Sequence, residues 1–508
     1  MKIKSISINR FRGYASPVSV EMDDLLVLVG KNDIGKSTIL EALDFFFNEG
    51  KGSIKIDKDD INKKCLREGQ DCIEIAVEFT NFPASIVIDA SNETTLANEY
   101  LLTEKGTLQV VKHYPNAGKE KVFIRALHPT NPKCKDLLLK KNDELKKILG
   151  DCEFVCDDKT KNAELRKAIW EGQGDLQLKE YEIEVAKIDA KNIWEQLKAY
   201  MPFFTLFQSD RKNSDGDSEV QDPMRLAVKE ILGDSQIQAE LSRVAETVKA
   251  RLDDVASRTL SKLSEMNPEI ATSLDPQLPD LANLKWADVF KNVSITADDD
   301  IPINKRGSGV KRLVLISFFR AEAERRQLET NVPSIVYAIE EPETSQHPEH
   351  QRSLIDALVS LSKTPNAQVM LTTHSPEIVK KLQFENILLI SGRDAGQVYR
   401  IQEHELPYPS LNEVNYVAFG EASFEYHNEL YGFIEAKGKL ADYKKGKLLR
   451  SYTKIKKDGS TVMQPIDLTE YIRHQIHHPE NDKNVQFTSG ELSASIEDMR
   501  TFIQSNIR

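Results

Sequence analysis

The sequence predicts an α/β fold: a head of strands and helices, split by a helical arm and followed by a small helical domain. Three observations carry this. Residues 25–29 (LLVLV) are a continuous apolar run, followed by the loop GKNDIGKS and the apolar helix TILEALDFFF; a strand buried on both faces reads this way. Two further apolar runs, 335–339 and 369–373, lie far downstream, and each ends in polar residues. In the intervening stretch Ile237, Leu241, Val244, Val248, Leu252, Val255, Thr259 and Leu263 step by three or four, the seam a helix offers a partner helix.

From the N-terminus, Ile3, Ile6 and Ile8 alternate roughly with polar residues, as in a half-buried strand. CIEIAVEF, SIVID, TLQVVKH and KVFIRA, between residues 72 and 126, are β-rich runs parted by turn residues and predict an antiparallel meander. From Cys134 to Tyr200 the chain turns to Lys, Glu, Leu and Ala at helical spacing, and 208–223 is polar with Gly and Pro, an exposed loop. Pro268 ends the long helix. Strand–helix texture resumes at Val293 and runs to Ile401, and the remainder reads as helices. The expected divisions are an N-terminal lobe of the head over 1–130, the arm over 131–284, a C-terminal lobe over 285–402 and a helical domain over 403–508.

The chain has 508 residues, with 68 Lys and Arg against 80 Asp and Glu, a net charge of −12. That balance argues against a general nucleic-acid coat and leaves room for a local basic groove. Five cysteines without a C-x-x-C pair argue against a zinc ribbon or a disulfide scaffold. The start, MKIKSISINRFRGY, lacks a signal-peptide run. No stretch approaches the roughly 20 apolar residues of a spanning helix. The expectation is a reduced, cytoplasmic, soluble protein with no membrane partner.

Gly30, Lys31, Asn32, Asp33, Ile34, Gly35, Lys36 and Ser37 match G-x-x-x-x-G-K-[ST] between a buried strand and a helix, with Thr38 next in line. The glycines let backbone N–H groups turn onto phosphates, and the helix N-terminus adds its positive end. Lys36 would reach the β- and γ-phosphates of ATP, and Ser37 would ligate Mg²⁺. Strand 335–339 ends in Glu340-Glu341-Pro342-Glu343. Glu340 would hold Mg²⁺ through water, and Glu341 would polarise the attacking water. The strand at 369–373 ends at His374-Ser-Pro, where a neutral imidazole can bond a γ-phosphate or that water. Gly307, Ser308 and Gly309 precede another helix and form a second anion cradle, which makes sense if it completes the site of a second copy.

These four motifs, in this order, resemble the ATP-binding-cassette (ABC) ATPases of the RecF, SMC and overcoming-lysogenization-defect class, as does the opening INRFRGY. The resemblance covers roughly 1–130 and 285–400. It implies an ABC-type P-loop head, ATP and Mg²⁺ as cofactors, Arg12 on the adenine side, Gln208 as the metal-side glutamine after PFFTLF, and a head-to-head dimer holding ATP between Lys36 of one copy and Ser308 of the other. Lys311 replaces the usual Gln or Glu of the signature, which implies slow hydrolysis.

In the C-terminal hundred residues no metal-nuclease domain is legible. Lys437, Lys439, Lys444, Lys445, Lys447, Arg450, Lys454, Lys456 and Lys457, with Tyr443 and Tyr452 interleaved, are the best candidate for DNA or RNA contact (437–457). Arg473 and His478 resemble the R-x4-H motif of HEPN ribonucleases, or else cap and stack at a helix end. Thr488 and Glu491 form a capping box for the last helix. Cassette ATPases with short arms and helical tails resemble the ATPase partners of Septu and related anti-phage systems. That resemblance implies an oligomeric ATPase regulating a separate nuclease or toxin subunit, of HNH type. The alternatives are a self-contained ribonuclease and a RecF-like repair ATPase.

Overall fold

The computed structural model describes residues 1–507 apart from 32–33, 49–53, 90–91, 186–190, 209–227, 229, 235, 248–316, 320, 325, 328–333, 345–347, 392–396, 401–409 and 457. Asn32, Asp33, Gly307, Ser308, Gly309, Lys311 and the arm seam from Val248 onward lie outside the described residues.

Two six-stranded sheets form the head. The first joins β1 (Lys2–Asn9), β2 (Val18–Glu21), β4 (Cys72–Thr80), β7 (Leu108–Pro115), β8 (Lys121–Pro129) and β9 (Leu178–Glu184) in the order β2-β1-β4-β7-β8-β9, with every neighbour antiparallel. The second joins β3 (Leu25–Val29), β10 (Phe203–Phe207), β11 (Ile335–Glu340), β12 (Ala367–Thr373), β13 (Ile387–Ser391) and β14 (Gln397–Arg400) in the order β10-β11-β12-β3-β13-β14. It is parallel except for the β13–β14 pair. The N-terminal β3 therefore sits between two strands from far downstream, so the halves of the chain interleave in one sheet.

The LLVLV run has a direct explanation. Leu26 and Leu28 face the core shared with the antiparallel sheet and helix α1 (Lys36–Asn48), whereas Leu25, Val27 and Val29 face the opposite core, which includes α6 residues Leu354 and Leu358 (α6, Pro348–Ser362). A strand with two dry faces has no polar side to alternate with.

Three expectations are corrected. The run SIVID leaves the meander: its β5 (Ile86–Asp89) pairs with β6 (Asn92–Thr94) in a separate hairpin. The arm boundary at 131 moves, because β9 and β10 fall within 131–284 yet belong to the two head sheets; among the described residues between α1 and β10 the α-helices are α2 (Lys63–Arg67), α3 (Asn142–Asp151), α4 (Asn162–Gln173) and α5 (Lys191–Ala199). The C-terminal domain is not all helical. Beside α8 (Leu411–Phe419), α9 (Phe424–Ala436), α10 (Leu440–Lys444), α11 (Leu468–His477) and α12 (Ser489–Asn506), it holds the hairpin β15 (Leu449–Ile455) with β16 (Thr461–Asp467). Tyr452 and Ile466 are its buried apolar side chains and cluster with Tyr471, which is why the run pairs as strands. A short helix, α7 (Pro376–Val379), follows β12, with Ser375 as its N-cap.

Candidate nucleotide site

Register builds the site. Val29 pairs with Thr373, and Glu340 pairs with Thr372. The loop after β3, the carboxylates after β11 and the histidine after β12 therefore emerge side by side at the carboxyl edge of the parallel strands, where ligands bind in open α/β sheets.

The phosphate loop needs its glycines for space. A Cβ on Gly30 would sit 2.7 Å from the Ile390 carbonyl oxygen. Gly35 has φ +101°, and a Cβ there would sit 3.0 Å from the Tyr14 hydroxyl, which donates to the Gly35 carbonyl at 3.0 Å. Burial pushes the Tyr14 hydroxyl well above its ordinary value, so it stays a donor. Lys36 is buried and its Nζ donates to the carbonyls of Gly30 and Lys31, both at 2.9 Å, with Glu341 Oε1 3.9 Å away. Ile34, Ser37 and Thr38 complete the turn into α1, and Thr38 is buried.

Glu341 has φ +38°, a left-handed backbone on a non-glycine residue. Its N–H is held by the carbonyl oxygen (3.2 Å) and the hydroxyl oxygen (3.1 Å) of Thr372. Strain of this kind persists where the surroundings enforce it and concentrates at functional sites. His374 Nδ1 lies 3.3 Å from Glu341 Oε2 and 3.4 Å from Glu343 Oε1. Glu343 is buried, and its Oε1 accepts from Thr373 Oγ1 (2.7 Å) and from the His374 N–H (2.8 Å). Burial raises the Glu343 carboxyl above its usual range, against the pull of those two donors. Neither Glu343 nor Thr372 is marked out by local sequence; the run of three glutamates around Pro342 is the available signal.

Gln208 sits beside Glu340: its amide nitrogen donates to Glu340 Oε2 at 3.2 Å and to Glu41 Oε1 at 3.4 Å. Arg12, with φ +46°, donates from Nε to Asp60 Oδ1 at 2.7 Å and pairs with Glu41. A buried ammonium in a glycine loop, 3.9 Å from Glu341, on a strand edge that also carries Glu340 with Gln208 and His374, suits a triphosphate with a divalent cation.

Residues 1–379 match the AAA ATPase domain family. The chain belongs to that family. This AAA-family chain is 22% identical over 444 residues to the "Retron Ec83 probable ATPase" of Escherichia coli, spanning 79% of this chain and 73% of that one. It is 23% identical over 385 residues to "Endonuclease GajA" of Bacillus cereus, spanning 70% of this chain and 52% of that one. With the "Old nuclease" of Escherichia phage P2 it shares 24% identity over 170 residues, 33% of this chain and 29% of the other. The chain thus spans about half of GajA and under a third of the Old nuclease. Among solved structures, the SmcHead bound to the ScpA C-terminal winged helix overlays 78% of this chain at 14% identity, with a TM-score of 0.38. The SMC head of Thermotoga maritima overlays 79% at 12% identity, with a TM-score of 0.31.

In the C-terminal domain of this AAA-family chain, four cations of the basic stretch are ion-paired within the fold. Lys439 pairs with Asp442, Lys444 with Glu470, Lys447 with Asp498 and Arg450 with Glu491. Arg473 lies 3.9 Å over the Tyr431 ring and pairs with Glu435, whereas His478 pairs with Glu480 and stacks toward His474. His478 is the C-cap of α11, with φ −130° and ψ 62°, so Arg473 and His478 engage different neighbours. No helix among the described residues is long and apolar enough to cross a membrane.

Proposed function

We propose that this chain is an ATP-binding, slowly hydrolysing ABC-type ATPase subunit of a prokaryotic anti-phage defence complex, regulating a separate nuclease or toxin. The observation that carries it is a nucleotide site assembled from residues 12 to 374, in a chain similar over most of its length to a retron ATPase. Lys36 binds the β- and γ-phosphates once its bonds to Gly30 and Lys31 are exchanged for theirs. Ser37, Glu340 and Gln208 would hold Mg²⁺, which when bound neutralises phosphate charge. Glu341 orients the attacking water. His374, kept in place by Glu343 through its N–H, shares a proton with Glu341 or with a γ-phosphate oxygen. Ser308 of a second copy closes the sandwich, and Lys311 keeps turnover slow. An HNH-type nuclease is the favoured effector. The paired cations of residues 439–450 and the separated Arg473 and His478 speak for an effector on another chain over a built-in ribonuclease or a broad nucleic-acid groove.

The test is phage plating on cells carrying the locus, with the neighbouring reading frames intact. Lys36→Ala is expected to abolish protection without lowering protein level. Full protection by Lys36→Ala, or RNA cleavage by the purified chain alone that Arg473→Ala removes, would overturn the reading.

A further inference from the structure

Glu41 has no role in the nucleotide chemistry above, yet it joins both ends of the site. It lies on α1, one and a half turns beyond Lys36, with its side chain 13% exposed. Arg12 pairs with one of its oxygens and Gln208 donates to the other at 3.4 Å. The same Gln208 nitrogen donates to Glu340 Oε2 at 3.2 Å. A primary amide nitrogen carries two protons and no acceptor, so one nitrogen serves both carboxylates. The flipped amide would set its oxygen against two carboxylates, which repel it. Arg12 in turn is anchored independently, by Nε to Asp60 Oδ1 and by its N–H to the Asp60 carbonyl, each at 2.7 Å.

We propose that Glu41 is a positioning residue: paired to Arg12, it fixes the amide of Gln208 so that the nitrogen faces Glu340 and the oxygen is left for the divalent cation. This rests on the nucleotide-site reading and deepens it. Cation affinity then depends on a residue that touches neither cation nor phosphate. Removing such an outer partner of a metal ligand typically costs about 10- to 100-fold in metal affinity.

The experiment titrates Mg²⁺ into the full-length protein with a fluorescent ATP analogue present, and separately measures analogue affinity in EDTA. For Glu41→Gln the Mg²⁺ midpoint is expected to rise about tenfold while affinity in EDTA stays within twofold. In Gln208→Ala the midpoint also rises, and adding Glu41→Gln to it is expected to change nothing further, because both act through one amide. An unchanged midpoint in Glu41→Gln, equal losses with and without Mg²⁺, or full additivity with Gln208→Ala would overturn the proposal. Lys36→Ala is the separate control: if it binds the analogue like wild type, the underlying nucleotide site is misplaced, whatever Glu41 does. Glu41→Asp, a shorter carboxylate, guards against a folding defect: a wild-type melting temperature with a raised midpoint supports positioning, and a wild-type midpoint contradicts it.

Discussion

At the scale of single residues, the site depends on positions where the backbone is held in uncommon states. Glu341 keeps φ +38° because Thr372 grips its N–H, and this aims the carboxylate at His374. Glu341→Gln preserves shape and removes the base. Its ATP hydrolysis is expected to fall at least about a hundredfold, the low end of acid–base catalysis, with nucleotide binding retained; a phosphate-release assay beside a binding titration checks both. Gly30 makes a different demand, since a Cβ there meets a backbone carbonyl at 2.7 Å. Gly30→Ala is expected to destabilise the fold by about 1–3 kcal/mol in urea unfolding and to weaken nucleotide binding. Lys36, Glu341 and His374 stand out in the sequence because each follows an apolar strand, Lys36 through a glycine loop and the other two at the strand end, with a chemically marked residue. Glu343, Thr372, Tyr14 and Glu41 do not, because hydroxyls and carboxylates acquire their roles from register and helix placement, which local spacing does not encode.

At the scale of elements, the antiparallel sheet is tied across its strands by charge. Arg125 on β8 bonds Glu182 on β9 at 2.6 Å and Glu74 on β4 at 2.9 Å, and His113 on β7 meets Glu182 at 3.2 Å. Contact with the Cys72 sulfur and then with Glu182 raises His113 to about 9, and the reciprocal bond with His113 chiefly lowers Glu182 to about 2. A raised histidine stabilises fully below its unfolded value of 6.5 and loses that contribution as pH rises to about 9. The depressed Glu182 acts oppositely: its contribution is full above 4.5 and is lost as pH falls toward about 2. The urea midpoint of wild type is therefore expected to decline from pH 6.5 to 9 more than that of His113→Gln; parallel curves would contradict the assignment. Arg166 on α4 is held by Glu99 at 2.7 and 2.9 Å with both side chains buried. Arg166→Met is expected to cost about 3–5 kcal/mol, measured by denaturant unfolding. The helices and strands with clear periodicity were legible. Strand β9 was not, because LKEYEIE buries little beyond Ile183 and carries the charges of an edge strand, a composition shared with exposed helices. Strand β10 is five residues long, and its partner β11 lies far downstream, so local sequence could not show it as part of the parallel sheet.

At the scale of the whole molecule, the sequence reads as two half-sites and the fold makes them one. Strand β3 inserts between β12 and β13, so neither half can present the site alone. The split head was legible because its motifs sit in a fixed order on apolar strands. The arm's start was not, because the chain returns twice to the head sheets after residue 131. If Ser308 of a second copy completes the sandwich, Glu341→Gln with ATP and Mg²⁺ is expected to double in mass by light scattering, and Lys36→Ala is expected to stay at its nucleotide-free mass. The most direct measurement is a calorimetric titration of ATP into wild type and Lys36→Ala at matched folding. The account predicts saturable binding by wild type and none detectable by Lys36→Ala, which removes the buried ammonium held by the carbonyls of Gly30 and Lys31. Equal binding by the two proteins would contradict it.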